Sequence, residues 1–231
     1  MPSTPSRRHL LAALAAVPLI AATRPAPRLS ARVSESGVGG FVVGNPNARL
    51  RLVEYFSFTC GACGQFAAVG DPALKAQYVD RGLVAFEYRN LIRDPLDMTA
   101  ALLARAGGAA AFVGHYRALM LGQPQWLARA SKLPQSVQSK WFEGDMDVRL
   151  TLVARDSGLD AFMRARGLTP AQIRAALTSE VGQTAVTAMT NLARAARITI
   201  TPSFTLNDVP LADVHDWPAV KSRLDQALRP A

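Results

Sequence analysis

The segment from Leu50 to Phe58 is a near-continuous run of branched, aliphatic and aromatic residues. A strand of that kind has no polar face to offer water, so it belongs in the middle of a sheet covered on both sides. The next segments narrow the choice further. From Cys60 the apolar residues Phe66, Val69, Leu74 and Tyr78 predict a helix, and Leu83 to Tyr88 reads as a second central strand. Strand, helix, strand is a βαβ unit, so the fold class is α/β. Gly70, Asp71 and Pro72 interrupt the helical stretch and predict a kink near its middle.

Upstream, Phe41 to Val43 could form a short strand, and Gly44-Asn45-Pro46-Asn47 is dense turn chemistry. Arg24 to Gly40 is rich in Pro, Ser and Gly without an apolar period and reads as a linker or frayed arm. Between Asp97 and Ala196 lies an Ala-, Leu- and Arg-rich tract with helical spacing. Within it Thr169-Pro170-Ala171-Gln172 is a helix start, with a capping residue, Pro at the first position and Gln three beyond the cap. Val181, Ala185, Met189, Leu192 and Ala196 mark one face of a further helix. Strand character returns at Ile198 to Ile200, breaks at Thr201-Pro202 and resumes over Phe204 to Leu206. Trp217 to Leu228 closes the chain as a helix.

The N-terminus carries Arg7 and Arg8, then an Ala- and Leu-rich run from Leu10 to Ala22 with small residues at its end, the pattern of an export signal over 1–22. Thirteen residues fall short of the roughly 20 that span a bilayer, so no stable membrane insertion is expected. Ser6 to Leu11 is similar to the twin-arginine export motif, and both that route and ordinary secretion stay open. The net charge is +9. Its basic residues are scattered singly after the N-terminus and form no patch, so the charge gives no reason to expect nucleic acid.

Two cysteines, Cys60 and Cys63, are the whole complement of a chain of 231 residues. A disulfide that staples an exported protein gains by closing a long loop, and this pair closes a very short one. The spacing points to chemistry, although an inert disulfide is the plain alternative. Half a zinc site has the same spacing, but His115 and His215 sit at intervals that match no zinc module, so no metal and no cofactor are expected. At a strand-to-helix handover Cys60 would occupy the helix N-terminus. There, free N–H groups and the positive end of the helix dipole favour a thiolate, while Cys63 one turn further is shielded. Glu54 alternates in step with Leu50, Leu52 and Phe56, which puts a carboxylate on an apolar face unless it reaches water at a sheet edge.

Val53-Glu54-Tyr55-Phe56-Ser57-Phe58-Thr59-Cys60-Gly61-Ala62-Cys63, with Gly44 to Ala48 before it, Tyr88-Arg89 and Pro95-Leu96-Asp97 after it, and Thr201-Pro202-Ser203-Phe204 far downstream, resembles the DsbA-like branch of the thioredoxin superfamily. The resemblance implies a thioredoxin fold with an inserted helical domain. The partition is then a signal over 1–22, a linker over 23–40, the thioredoxin core over 41–96 and 197–231, and the insertion over 97–196. It also implies that Pro202 is cis and faces the cysteines, that Thr201 pairs its backbone with a client peptide, and that Glu54 exchanges a proton with the resolving Cys63. The implied activity is disulfide exchange with thiols of exported proteins in the periplasm, most simply as an oxidase reoxidised by a membrane quinone-linked partner. A reductase, an isomerase or a non-catalytic peptide-binding chaperone are the alternatives. Family isomerases dimerise through a separate N-terminal domain for which 23–40 is too short, so a monomer is expected. The dipeptide Gly61-Ala62 departs from the Pro-His of strongly oxidising members, which bears on redox strength.

Overall fold

The computed structural model describes residues 28–229 besides Met1, so the export signal expected over 1–22 and the first part of the linker lie outside the described residues. Six strands, β1 (Val33–Glu35), β2 (Phe41–Val43), β3 (Leu50–Phe56), β4 (Val84–Asn90), β5 (Ser203–Leu206) and β6 (Val209–Pro210), form one sheet in the order β1-β2-β4-β3-β5-β6. β3 and β4 run parallel with Glu54 opposite Tyr88, and every other pairing is antiparallel. The parallel pair is the βαβ unit read from the sequence.

The central position of β3 explains its composition. On one face Leu50, Leu52 and Phe56 enter the main core, and on the other Val53 and Tyr55 pack with Leu91, Ala193 and Ile198. Beyond Arg51, whose side chain is partly exposed near the start of the strand, neither face meets water, so a strand with a polar side could not occupy this place.

The crossover from β3 to β4 stays helical throughout, from α1 (Gly61–Gln65) through a π-helical segment at Phe66–Gly70, α2 (Asp71–Leu74) and a second π segment at Lys75–Val79. Where the sequence predicts a kink, Pro72 instead takes a first-turn position of α2, where its missing N–H is tolerated. The wider turns carry the helical path past it.

After β4 come α3 (Pro95–Arg105), α4 (Gly108–Leu121), α5 (Gln123–Ser131), α6 (Gln135–Gln138), α7 (Met146–Ser157), α8 (Leu159–Arg164), α9 (Pro170–Leu177) and α10 (Glu180–Ala195), and α11 (Trp217–Leu228) follows the last strand. Thr169 and Gln172 form the expected reciprocal cap of α9. Three details differ from the sequence reading. Val33–Glu35, expected in the linker, pairs with β2 as an edge strand. Ile198 to Ile200 is not a strand. Arg197 turns the chain out of α10 at φ 59, and Ile198 is buried under Val53 and Tyr55, so an apolar side chain rather than a ladder explains that stretch. The buried stripe of α10 runs through Val186, Met189 and Ala193, one residue off the expected face, leaving Val181 79% and Leu192 41% exposed.

The inserted helices share their core with the sheet. Phe112 of α4 stacks on Phe41 of β2 with ring centroids 3.9 Å apart, and Tyr116 meets Phe56 edge-on at 5.1 Å. Among the described residues no helix is long and apolar enough to cross a membrane. Phe112→Ala opens a cavity at the joint between sheet and insertion and should cost roughly 3–5 kcal/mol. Urea unfolding followed by far-ultraviolet dichroism and by tryptophan fluorescence should still show one coincident transition. Separate transitions would mean that the insertion folds independently.

Candidate active site

β3 ends at Phe56, a short loop crosses Ser57 to Thr59, and Cys60 then caps α1 with an extended backbone, φ −94° and ψ 118°. That conformation leaves the first amides of α1 free to face the Cys60 sulfur. Cys60 is 7% exposed and Cys63 is fully buried behind it. Both are free thiols, so the structure is of the dithiol form. Across the gap the Thr201 carbonyl oxygen lies 3.1 Å from Cys60 Sγ. The peptide bond between Thr201 and Pro202 is cis, and Pro202 is buried.

The two thiols are driven apart in acidity. The hydrogen bond from the Cys63 thiol is the largest influence on Cys60; burial opposes it, and the Thr201 side chain and the amides of Cys63 and Ala62 reinforce it, bringing Cys60 down to about 5. Cys63 is pushed far above the usual thiol range, chiefly by burial, then by its bond to Cys60 and by the charge of Glu54. One sulfur is therefore a thiolate at neutral pH and the other holds its proton, the division of labour that thiol–disulfide exchange requires.

Beneath the pair lies a buried polar cluster. Glu54 is fully buried among Phe56, Tyr88 and Tyr116, as its strand face foretells, and does not reach a sheet edge. Its Oε2 lies 3.5 Å from the Tyr116 hydroxyl, and its Oε1 has no hydrogen-bond partner. Burial first, then the nearby Asp71 carboxylate, raises its pKa well above the usual carboxylate range. Asp71 accepts from the Tyr88 hydroxyl and pairs with Lys75 Nζ at 2.9 Å. Asp71, Lys75 and Tyr116 were not singled out by sequence reasoning. The clue to Asp71 was available: Cys63, Ala67 and Asp71 follow at helical steps of four and all three are buried.

A second acidic pair shapes the loop before Cys60. Asp97 accepts from Phe58 N–H at 2.7 Å and Arg93 N–H at 3.1 Å, and Asp94 caps α3 while accepting from the Thr59 hydroxyl at 3.0 Å. Burial lifts Asp97 to about 7 despite these donors. On the far side His215 Nδ1 lies 2.8 Å from the Pro202 carbonyl, so the segment before α11 braces the cis-proline turn, and His115 sits separately on α4. Among the described residues no cluster of three or more His, Cys, Asp or Glu gathers to hold a metal ion.

A family model described as Thioredoxin matches residues 36–226. The chain belongs to that family. Its sheet with an inserted helical domain is the DsbA-like form of the fold, shared with α-DsbA1 of Wolbachia pipientis at 20% identity and a TM-score of 0.59, over 80% of this chain and 88% of that one. Nearer in sequence is the structure of a protein-disulfide isomerase from Novosphingobium aromaticivorans, 33% identical with a TM-score of 0.79 over 83% of this chain and 98% of that one. A Rickettsia typhi protein named as a protein-disulfide oxidoreductase is 29% identical over 170 residues, 73% of this chain. This thioredoxin-family chain spans 54% of that relative's length.

Cys60, Cys63, Glu54, Thr201 and Pro202 thus lie in one site, where β3, the start of α1 and the turn before β5 converge. The acidity of Cys60 has a testable consequence for stability. Its value in the folded protein, about 5, lies below the ordinary 9.0. The stabilisation is therefore fully present above the ordinary value, shrinks as pH falls, and is gone below about 5. The disulfide form has no thiol to titrate. Denaturant unfolding of both forms should therefore show the dithiol form gaining on the disulfide form as pH rises from 5 to 8. A pH-independent difference would mean that no thiolate is stabilised.

Proposed function

We propose that the chain is a periplasmic thiol–disulfide oxidoreductase that acts as an oxidase on thiols of exported proteins. The observation that carries this is Cys60 at the open N-terminus of α1, with Cys63 buried one turn behind it and the Thr201 carbonyl 3.1 Å away.

In the oxidised form, a client thiolate attacks Cys60 Sγ and the Cys60–Cys63 bond breaks, with Cys63 leaving as a thiolate. Glu54 supplies the proton that Cys63 takes up, since burial raises its pKa and favours the protonated carboxyl. A second client thiolate then attacks the client sulfur of the mixed disulfide and expels Cys60 as a thiolate. Two electrons have passed from the client dithiol to the cysteine pair. A membrane quinone-linked partner accepts them and restores the disulfide. Stabilising the Cys60 thiolate makes Cys60 a good leaving group and favours the reduced form, which drives the pair toward oxidising others. Thr201 and Pro202 present backbone beside the sulfur for an extended client, with Ile200, 57% exposed, next to them. The chain acts as a monomer and is exported by its N-terminal signal.

Similarity to the Novosphingobium protein-disulfide isomerase favours a second reading, disulfide isomerisation by the same pair. Refolding assays separate the two: an oxidase acts on a reduced client, whereas an isomerase recovers activity from a scrambled one.

The wild-type protein should accelerate the reduction of insulin by dithiothreitol, and Cys60→Ser should abolish the acceleration. No acceleration would leave a peptide-binding chaperone as the better account. Glu54→Gln should slow the steps in which Cys63 gains or loses its proton, formation of the mixed disulfide from the oxidised form and its resolution by Cys63, by roughly 100-fold with the fold intact; wild-type rates of both at every pH would make Glu54 structural only. With Gly61-Ala62 between the cysteines no imidazole supports the thiolate, so the potential should fall between about −270 mV and about −120 mV. Ala62→His should make it more oxidising. A native value as oxidising as the upper figure would show that the dipeptide is not the control point.

A further inference from the structure

The carbonyls of Phe58 and Cys60 point away from the sulfur and into the helical insertion. There Gln123, the first residue of α5 and only 4% exposed, places Nε2 2.6 Å from the Phe58 oxygen and 2.9 Å from the Cys60 oxygen. Neither contact is incidental. The Phe58 carbonyl lies beyond the end of β3 and has no backbone partner among the described residues, so Gln123 satisfies an oxygen that would otherwise be buried unpaired. The Cys60 carbonyl already accepts from Gly64 N–H at 3.1 Å, and Gln123 occupies its second lone pair. Asp97 of α3 holds the preceding peptide by accepting from Phe58 N–H. The loop entering the redox helix is therefore gripped on its donor side by α3 and on its acceptor side by α5.

We infer that Gln123 is a positioning residue through which the helical insertion fixes the Cys60 backbone at the mouth of α1 and thereby sets the reactivity of the nucleophilic sulfur. The inference rests on the thiol–disulfide reading above. Its physical basis is twofold. Both side-chain N–H groups are spent on carbonyls flanking Cys60, which holds the residue in the extended cap conformation that directs the amides of Ala62 and Cys63 toward Sγ. The donated hydrogens also set partial positive charge against the negative ends of two carbonyl dipoles near Cys60, which offsets their unfavourable effect on a developing thiolate.

Gly64 supplies an independent handle. A Cβ at that position would lie 2.7 Å from Gln123 Oε1, the free end of a flexible side chain, so an alanine there displaces the amide without removing it.

The test uses the full chain as Gln123→Met, which keeps the length and volume of the side chain but has no donor, and as Gly64→Ala. For each, the thiolate absorbance at 240 nm is followed against pH, the equilibrium with glutathione is measured, and the fold is monitored by dichroism. Gln123→Met should raise the Cys60 midpoint by about one unit and lower the equilibrium constant for oxidising a dithiol about tenfold, or about 30 mV. Gly64→Ala should move both quantities in the same direction by a smaller amount. A folded Gln123→Met protein with the wild-type midpoint and potential overturns the inference. If that variant does not fold, Gly64→Ala decides in the same way. A wild-type protein whose Cys60 titrates as an ordinary thiol and exchanges with nothing would instead sink the underlying reading, a different result from a wild-type thiolate that Gln123 does not influence.

Discussion

Everything chemical in this molecule depends on the handover between a strand that cannot be exposed and a helix that must begin abruptly. β3 is locked between β4 and β5 and covered on both faces, so its end is fixed in space. The helix that starts a few residues later has unsatisfied N–H groups in its first turn, and the residue capping it is Cys60 rather than a hydroxyl or carboxamide side chain. A thiolate takes the place that an oxygen acceptor would fill. The lowered pKa of Cys60 follows first from the hydrogen bond of the Cys63 thiol one turn behind it, reinforced by Thr201 and the first amides of the helix, and the stranded proton on Cys63 follows chiefly from its burial.

The rest of the polar interior can be understood as support for this junction. Two carboxylates, Glu54 and Asp71, lie in the core beneath the cysteines with Lys75 as the nearby cation, and two more, Asp94 and Asp97, organise the loop above. Buried carboxylates are costly unless donors or cations meet them. Asp94, Asp97 and Asp71 are met. Glu54 keeps one oxygen without a hydrogen-bond partner, and its burial raises its pKa, which favours the protonated carboxyl. The helical insertion contributes Tyr116 and Asp97 to these arrangements, so it belongs to the chemistry and not only to the architecture.

Much of this was legible in the sequence because the governing constraints are local. The near-continuous apolar run of β3 announces a central strand, Cys60 and Cys63 announce a helix-terminal pair, and Glu54 betrays its burial through its alternation with Leu50, Leu52 and Phe56. The features that escaped depend on tertiary packing. Ile198 has the composition of a strand, but its side chain is used to cover β3 after a left-handed turn at Arg197, and propensity cannot distinguish the two uses. The stripe on α10 shifts by a residue because the sheet it packs against, and not its own periodicity, selects which side chains are buried. Pairing between β1 and β2 is set by a partner strand, which the Pro- and Ser-containing composition around it conceals. His215 sits beside Pro202 only because the chain after β6 folds back, a proximity that no spacing rule encodes.

The most direct test of the account is the pH dependence of alkylation of the reduced protein, with the label mapped to each cysteine. Cys60 should react first and its rate should rise with a midpoint at about 5, while Cys63 stays unlabelled in the folded protein. A midpoint near the ordinary thiol value of 9.0, or preferential labelling of Cys63, would contradict the claim that the helix start makes Cys60 the nucleophile.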